Sequence, residues 1–168
     1  GKSELISGFC NINSKSNICV LVPTKALLAQ TKQRILRKRI AGDNRQIITH
    51  TEMFQDRDQS FLAVFTQERL LRFFVKHPDI NFDFIFVDEA HNLLGEDPRA
   101  ILLAKVIILQ KQRNPEVRFK YLTPFLVDKN NLQLRYTEIE PVDYKVNEGI
   151  KTGRFYVVGC RKGETIQL

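Results

Sequence analysis

At 168 residues, 43% hydrophobic and 27% charged, the chain has the composition of one globular domain large enough to bury a core. No apolar run approaches the ~20 residues of a membrane helix, and three cysteines without C-x-x-C spacing argue against a disulfide framework or a zinc site. The net charge of +7, from 26 Lys+Arg against 19 Asp+Glu, favours a polyanionic partner.

In chain order, Gly1-Lys2-Ser3 matches the last three positions of the phosphate loop G-x-x-x-x-G-K-[ST]. In that loop the Lys reaches the β/γ-phosphates and the Ser hydroxyl ligates Mg²⁺. The loop's first glycine and the strand before it are missing, so the chain reads as a fragment that begins inside its own motif. A helix-like segment follows at 4–9, then a β-branched strand at 18–22. Thr24 is placed to cap a helix over 25–40, with Leu27, Leu28, Ile35 and Leu36 as its apolar face, and Gly42-Asp43-Asn44 breaks it. Residues 46–49 and 61–65 read as strands. Residues 67–76 read as a helix with Leu70, Leu71 and Phe74 on one face, stopped before Pro78. A strand at 84–87, an apolar helix at 99–112 whose stretch Ile101 to Leu109 reads as core, and a strand at 119–122 complete the alternation. Repeated strand-helix-strand units predict a three-layer α/β domain with a mainly parallel sheet. After Asn131 the chain turns β-rich, at 132–139, 155–160 and 165–168, and the last two segments are spaced as a hairpin. The expected division is a domain over 1–131 and an extension or linker over 132–168.

The densest signal is Phe84-Ile-Phe-Val-Asp-Glu-Ala-His91. An apolar run of this kind suits a strand buried on both faces. Two carboxylates at its carboxyl end sit where open α/β sheets bind ligands. Asp88 suits a hydrated Mg²⁺, which takes few protein carboxylates. Glu89 suits the role of orienting or deprotonating a water that attacks a γ-phosphate. The plain alternative is a solvated Asp-Glu pair. It weakens because phosphate loop, helix, strand and Asp-Glu-Ala-His follow in the order that nucleotide chemistry needs.

These blocks resemble the first RecA-like domain of superfamily 2 DEAD/DEAH-box helicases, over roughly residues 1–126. Gly1-Lys2-Ser3 is similar to the end of motif I, and Val22-Pro-Thr-Lys-Ala-Leu27 to motif Ia. Val64-Phe-Thr-Gln-Glu-Arg-Leu70 is similar to motif Ib, with Gln67 where Pro is common, and Val87-Asp-Glu-Ala-His91 is similar to motif II. Glu138-Ile-Glu-Pro-Val-Asp-Tyr144 bears a short likeness to a strand after motif III in exosome-helper and archaeal repair helicases. One block departs from the family. Tyr121-Leu-Thr-Pro-Phe125 stands in place of the S-A-T of motif III, and only Thr123 supplies a hydroxyl there.

The resemblance implies a RecA-like P-loop NTPase fold. ATP-Mg²⁺ would be bound by Gly1, Lys2 and Ser3, with Ser3 and Asp88 at the Mg²⁺. Glu89 would be catalytic with Asp88, and His91 would couple the γ-phosphate to the motif III segment around Thr123 or to a second RecA-like domain. That second domain closes the site with arginines, so this lobe alone would turn over little ATP. Thr24, Lys25, Thr66 and Arg69 would touch a nucleic-acid backbone at helix N-termini, where free N–H groups face phosphates. Backbone contacts carry no base information, so DNA and RNA both stay open. The basic run 32–39 reads mainly as a solvated helix face, and His50 and His77 as structural. The expected setting is intracellular, cytoplasmic or nuclear, without a membrane partner. Two alternatives remain: an inert remnant that binds nucleic acid or protein, and a P-loop ATPase unrelated to nucleic acid.

Overall fold

The computed structural model describes residues 2–55, 60–123, 156–158 and 165–167. Gly1, the Ser3 side chain and the expected strand at 132–139 lie outside the described residues, as does the segment 138–144.

Four apolar runs form fully or largely buried strands: β1 (Ile18–Leu21), β2 (Gln46–Ile48), β3 (Phe61–Phe65) and β4 (Phe84–Asp88). With β5 (Arg118–Leu122) they make one five-stranded sheet in the order β2-β3-β1-β4-β5, parallel throughout. The register sets Ile18 beside Leu62 on one side and Phe84 on the other, and Asp88 beside Leu122.

Side chains alternate across a strand, so each strand feeds two cores. Cys19, Leu21, Ala63, Phe65, Ile85 and Val87 point to one face. There they meet Phe73 and Phe74 of α3 (Gln67–Lys76) and Leu103, Val106 and Ile107 of α4 (Pro98–Arg113). Ile18, Val20, Leu62, Val64 and Phe86 point to the other. There they meet Ile6 and Cys10 of α1 (Lys2–Ile12) and Leu28 and Ile35 of α2 (Lys25–Arg37). The result is the three-layer α/β architecture that the sequence predicts.

Three helix details differ from the sequence reading. Leu36 is 47% exposed, because the buried stripe of α2 runs Leu28, Thr31, Ile35 at helical spacing and Leu36 falls beside it. The helix also ends at Arg37, before the expected Ile40, and the Lys38 N–H closes it on Arg34 O and Ile35 O. Ile101 is 64% exposed, and α4 instead buries Ala100, Leu103, Val106, Ile107 and Gln110. Phe73 is fully buried and packs against Phe54, Phe61, Phe65 and Phe82, which makes it the hub of an aromatic cluster. β6 (Tyr156–Val158) and β7 (Thr165–Gln167) pair antiparallel as the expected hairpin.

Candidate functional site

Both groups of candidate residues lie at the carboxyl ends of the parallel strands, where open α/β sheets bind ligands. The first group gathers at the ends of β4 and β5. Phe9 of α1 stacks edge-on against Phe84 and Phe86 of β4, at 4.8 and 5.2 Å between centroids, and so lays α1 along that strand. Lys2, at the start of α1, thereby arrives over the end of β4. Its Nζ donates to Glu89 Oε1 at 2.8 Å and stands 3.7 Å from Asp88 Oδ1. Residues 87 apart in sequence are joined by this contact.

Glu89 takes a left-handed conformation, φ 53 and ψ 47. For a non-glycine residue this costs on the order of 1–3 kcal/mol and persists only where the surroundings enforce it. The turn aims the Glu89 N–H at Asp88 Oδ1, 3.0 Å away, and starts the short 3-10 segment Ala90–Leu94. Thus the Asp88 carboxylate is held by the backbone that follows it. His91 Nδ1 lies 3.4 Å from Glu89 Oε2 and 3.5 Å from Thr123 Oγ1. Thr123 follows β5 directly, and the Asp88–Leu122 register brings it level with this turn. Lys2, Asp88, Glu89, His91 and Thr123 therefore form one half-buried constellation.

Its donor set fits a hard cation shared with phosphate. Asp88 offers a carboxylate oxygen, and Mg²⁺ uses one or two such ligands together with water and phosphate oxygens. Among the described residues, no cluster of three or more His, Cys, Asp or Glu could enclose a metal alone. Two carboxylates against one lysine leave the site one negative charge, which suits a cation.

The second group lines a cleft of about 660 Å³ at the ends of β1, β2 and β3. Thr24, Lys25, Thr66 and Arg69 all face it. Thr24 Oγ1 also accepts from Leu27 N at 3.2 Å and caps α2 as the sequence suggests. Thr66 is buried at the N-cap of α3. Arg69 reaches across and donates from Nη1 to Thr49 O at 2.7 Å.

Sequence reasoning passed over other cleft residues, among them His50, read as structural, and the cations Arg72 and Arg99. Arg72 follows Arg69 by three residues on α3, and that helical spacing could have found it. Arg99 has no such signal. It enters because α4 packs on α3, which sets its Nε 3.9 Å from Glu68 Oε1. Burial alone would raise the Glu68 pKa. The Thr66 hydroxyl, its own backbone N–H, Arg99 and Lys25 outweigh this and hold it below the usual carboxylate value.

Two members of the basic run 32–39 are engaged with neighbouring segments, Lys38 at the surface and Arg39 partly buried. Lys38 Nζ pairs with Glu4 Oε1 at 2.8 Å, and Lys38 holds that carboxyl down at about 2. Arg39 donates to Arg45 O and lies 3.8 Å from Asp43. Cys10 and Cys19 are free and buried. Burial pushes the Cys10 thiol up to about 11 and that of Cys19 higher still. No helix among the described residues is long and apolar enough to cross a membrane.

The fold is a parallel α/β sheet that carries Lys2 and the paired carboxylates Asp88 and Glu89 at its carboxyl edge. The chain matches the family described as type III restriction enzyme, res subunit, over residues 1–134, and belongs to that family. Among solved structures it is similar to a nuclease-deletion mutant of the Type ISP restriction-modification enzyme LlaGI in complex with a DNA substrate mimic. That likeness has 16% identity and a TM-score of 0.49, and covers 72% of this chain and 12% of the other. It is also similar to the Hef helicase domain of Pyrococcus furiosus, at 15% identity and a TM-score of 0.44, covering 72% of this chain and 32% of the other. The chain thus spans less than a third of either structure's length. Comparison with curated proteins finds no match.

Proposed function

We propose that the chain is the ATP-binding motor lobe, of DEAH type, of a helicase or translocase that acts on DNA or RNA. The observation that carries this reading is the meeting of Lys2 with Asp88 and Glu89, at 3.7 and 2.8 Å. An amine tied to two carboxylates is a site ready to exchange its contacts for phosphate and a cation. Lys2 turns from Glu89 to the β/γ-phosphates, with Gly1 and Ser3 beside it as the end of the phosphate loop. Asp88, with Ser3, would hold a Mg²⁺, which would supply neutralisation of phosphate charge. Glu89, released from Lys2, orients the attacking water and takes its proton. His91 lies between Glu89 and Thr123, and links the hydrolytic residue to the segment after β5. The cleft at Thr24, Lys25, Thr66 and Arg69 holds the nucleic-acid backbone. A second RecA-like domain supplies the arginines that complete turnover.

A second reading, a non-catalytic module that binds nucleic acid or protein, is favoured by Tyr121-Leu-Thr123 standing where the family has S-A-T. Nucleotide binding separates the two. Titration of a fluorescent ATP analogue with Mg²⁺ should give saturable binding. Lys2→Ala and Asp88→Asn should each weaken it at least about tenfold, or ~1.4 kcal/mol. Glu89→Gln should bind as well or better, because it frees Lys2. Equal affinity for the parent and Lys2→Ala would sink the ATP-site reading and leave the binding module.

A further inference from the structure

Arg69 is the residue whose motif position most directly suggests a phosphate contact, yet its geometry assigns it elsewhere. It is half-buried, and its Nη1 is fixed on Thr49 O at 2.7 Å. Thr49 follows β2 directly and opens the turn that carries His50 and Thr51 into the cleft wall. An arginine bonded to a buried backbone carbonyl is a brace, since moving it toward solvent leaves the carbonyl without its donor.

Three other cations face the same cleft from three different helices. Lys25 opens α2, Arg72 stands one turn along α3 from Glu68, and Arg99 lies in the first turn of α4. All three are exposed. Among the described residues, Lys25 and Arg72 have no hydrogen bond and no ion pair within 4 Å. Among the described residues, the Arg99 side chain is paired only with Glu68, at 3.9 Å. Glu68 lines the same cleft, 3.9 Å from Arg99, and so sets a carboxylate among these cations.

We propose that Lys25, Arg72 and Arg99 make the phosphate contacts of this cleft, that Arg69 is a positioning residue for the turn after β2, and that Glu68 competes with the bound backbone. The inference rests on the reading of the cleft as a nucleic-acid site, and it assigns the ligand class as the phosphodiester backbone of a single strand. Two of the three contacts, Arg72 and Arg99, lie outside the motif-like blocks. They are assembled by the packing of α4 on α3.

Salt dependence distinguishes a contact from a brace. Each phosphate neutralised adds about one unit to the slope of log affinity against log salt, whereas a brace alters affinity without altering the count. The experiment titrates labelled single strands of two unrelated sequences against the 168-residue chain over a salt series. Arg72→Ala and Arg99→Ala should each weaken both sequences equally and lower the slope by about one unit. Arg69→Ala should weaken binding with the slope unchanged, and hydrogen exchange at residues 49–51 should quicken in that variant alone. Glu68→Gln should tighten binding. A slope lowered by Arg69→Ala, with Arg72→Ala and Arg99→Ala leaving it intact, overturns the assignment while the cleft remains a nucleic-acid site. Absence of binding by the unaltered chain at low salt overturns both.

Discussion

Replacing Arg45 with Ala should destabilise the fold more than any other single charge removal in the sheet's α1–α2 layer. Arg45 is 7% exposed and has five hydrogen-bond contacts from its guanidinium. Two form a fork on Asp43, at 3.0 and 2.8 Å. The others reach Cys10 O at 2.5 Å, Asn13 O at 3.0 Å and Ser16 O at 3.4 Å, all at the exit of α1. Helix carbonyls at a C-terminus need partners, and here one side chain supplies them. Arg45→Ala leaves the Asp43 side chain, 3% exposed, without its guanidinium fork, held by the backbone N–H of position 45 at 3.1 Å and by Arg39 at 3.8 Å. Breaking one side of a buried pair costs about 3–5 kcal/mol. The orphaned Cys10 carbonyl adds about 1–3 kcal/mol in isolation, and because the two losses overlap we expect a total of ~4 kcal/mol. Urea denaturation followed by far-UV circular dichroism measures this as a lower midpoint at unchanged slope. The double variant Arg45→Ala/Asp43→Ala should be no less stable than Arg45→Ala, since it removes the unpaired charge. A loss under ~1 kcal/mol, or a double variant that loses the full sum of both singles, would refute the argument.

The same pair sets an acid limit. The Arg45 hydrogen bond holds the Asp43 carboxyl below its ordinary 3.8, so its contribution is complete above that value and is lost as pH falls through the lower folded one. Stability measured from pH 6 down to 2 should decline, and Asp43→Asn should flatten the acid part of the curve; a parallel decline in both proteins would remove Asp43 from the account. The buried thiols give a separate check. Cys10 and Cys19 should resist a disulfide reagent in the native state and react once denatured, because burial raises both thiols and blocks access. Peptide mapping by mass that finds either cysteine modified natively would contradict the packing.

How much of this was legible beforehand follows from range. Strand and helix runs depend on neighbours in the chain. Gln67–Lys76 and Phe61–Phe65 were readable to the residue, and the other expected elements that fall on described residues within a few residues at either end. The order of Gly1-Lys2-Ser3, Thr24 cap, Thr66 block and Asp-Glu-Ala-His was likewise written in linear spacing, and so was the Asp88-Glu89 pair at a strand end. Faces one residue off the helical stripe, as at Leu36 and Ile101, were misread because periodicity gives a direction while burial needs a partner.

What only the tertiary structure decided depends on contact through space. The strand order β2-β3-β1-β4-β5 puts β1 between strands that follow it much later in the chain. The left-handed Glu89, the Arg45 brace and the Arg69 bond to Thr49 are enforced by surroundings that no local pattern encodes. Arg99 joins the cleft only because α4 docks on α3. Sequence spacing selected the elements and their chemical groups. Packing chose which groups face each other, since the energy of burying or pairing a charge is settled by neighbours that meet only in the folded chain.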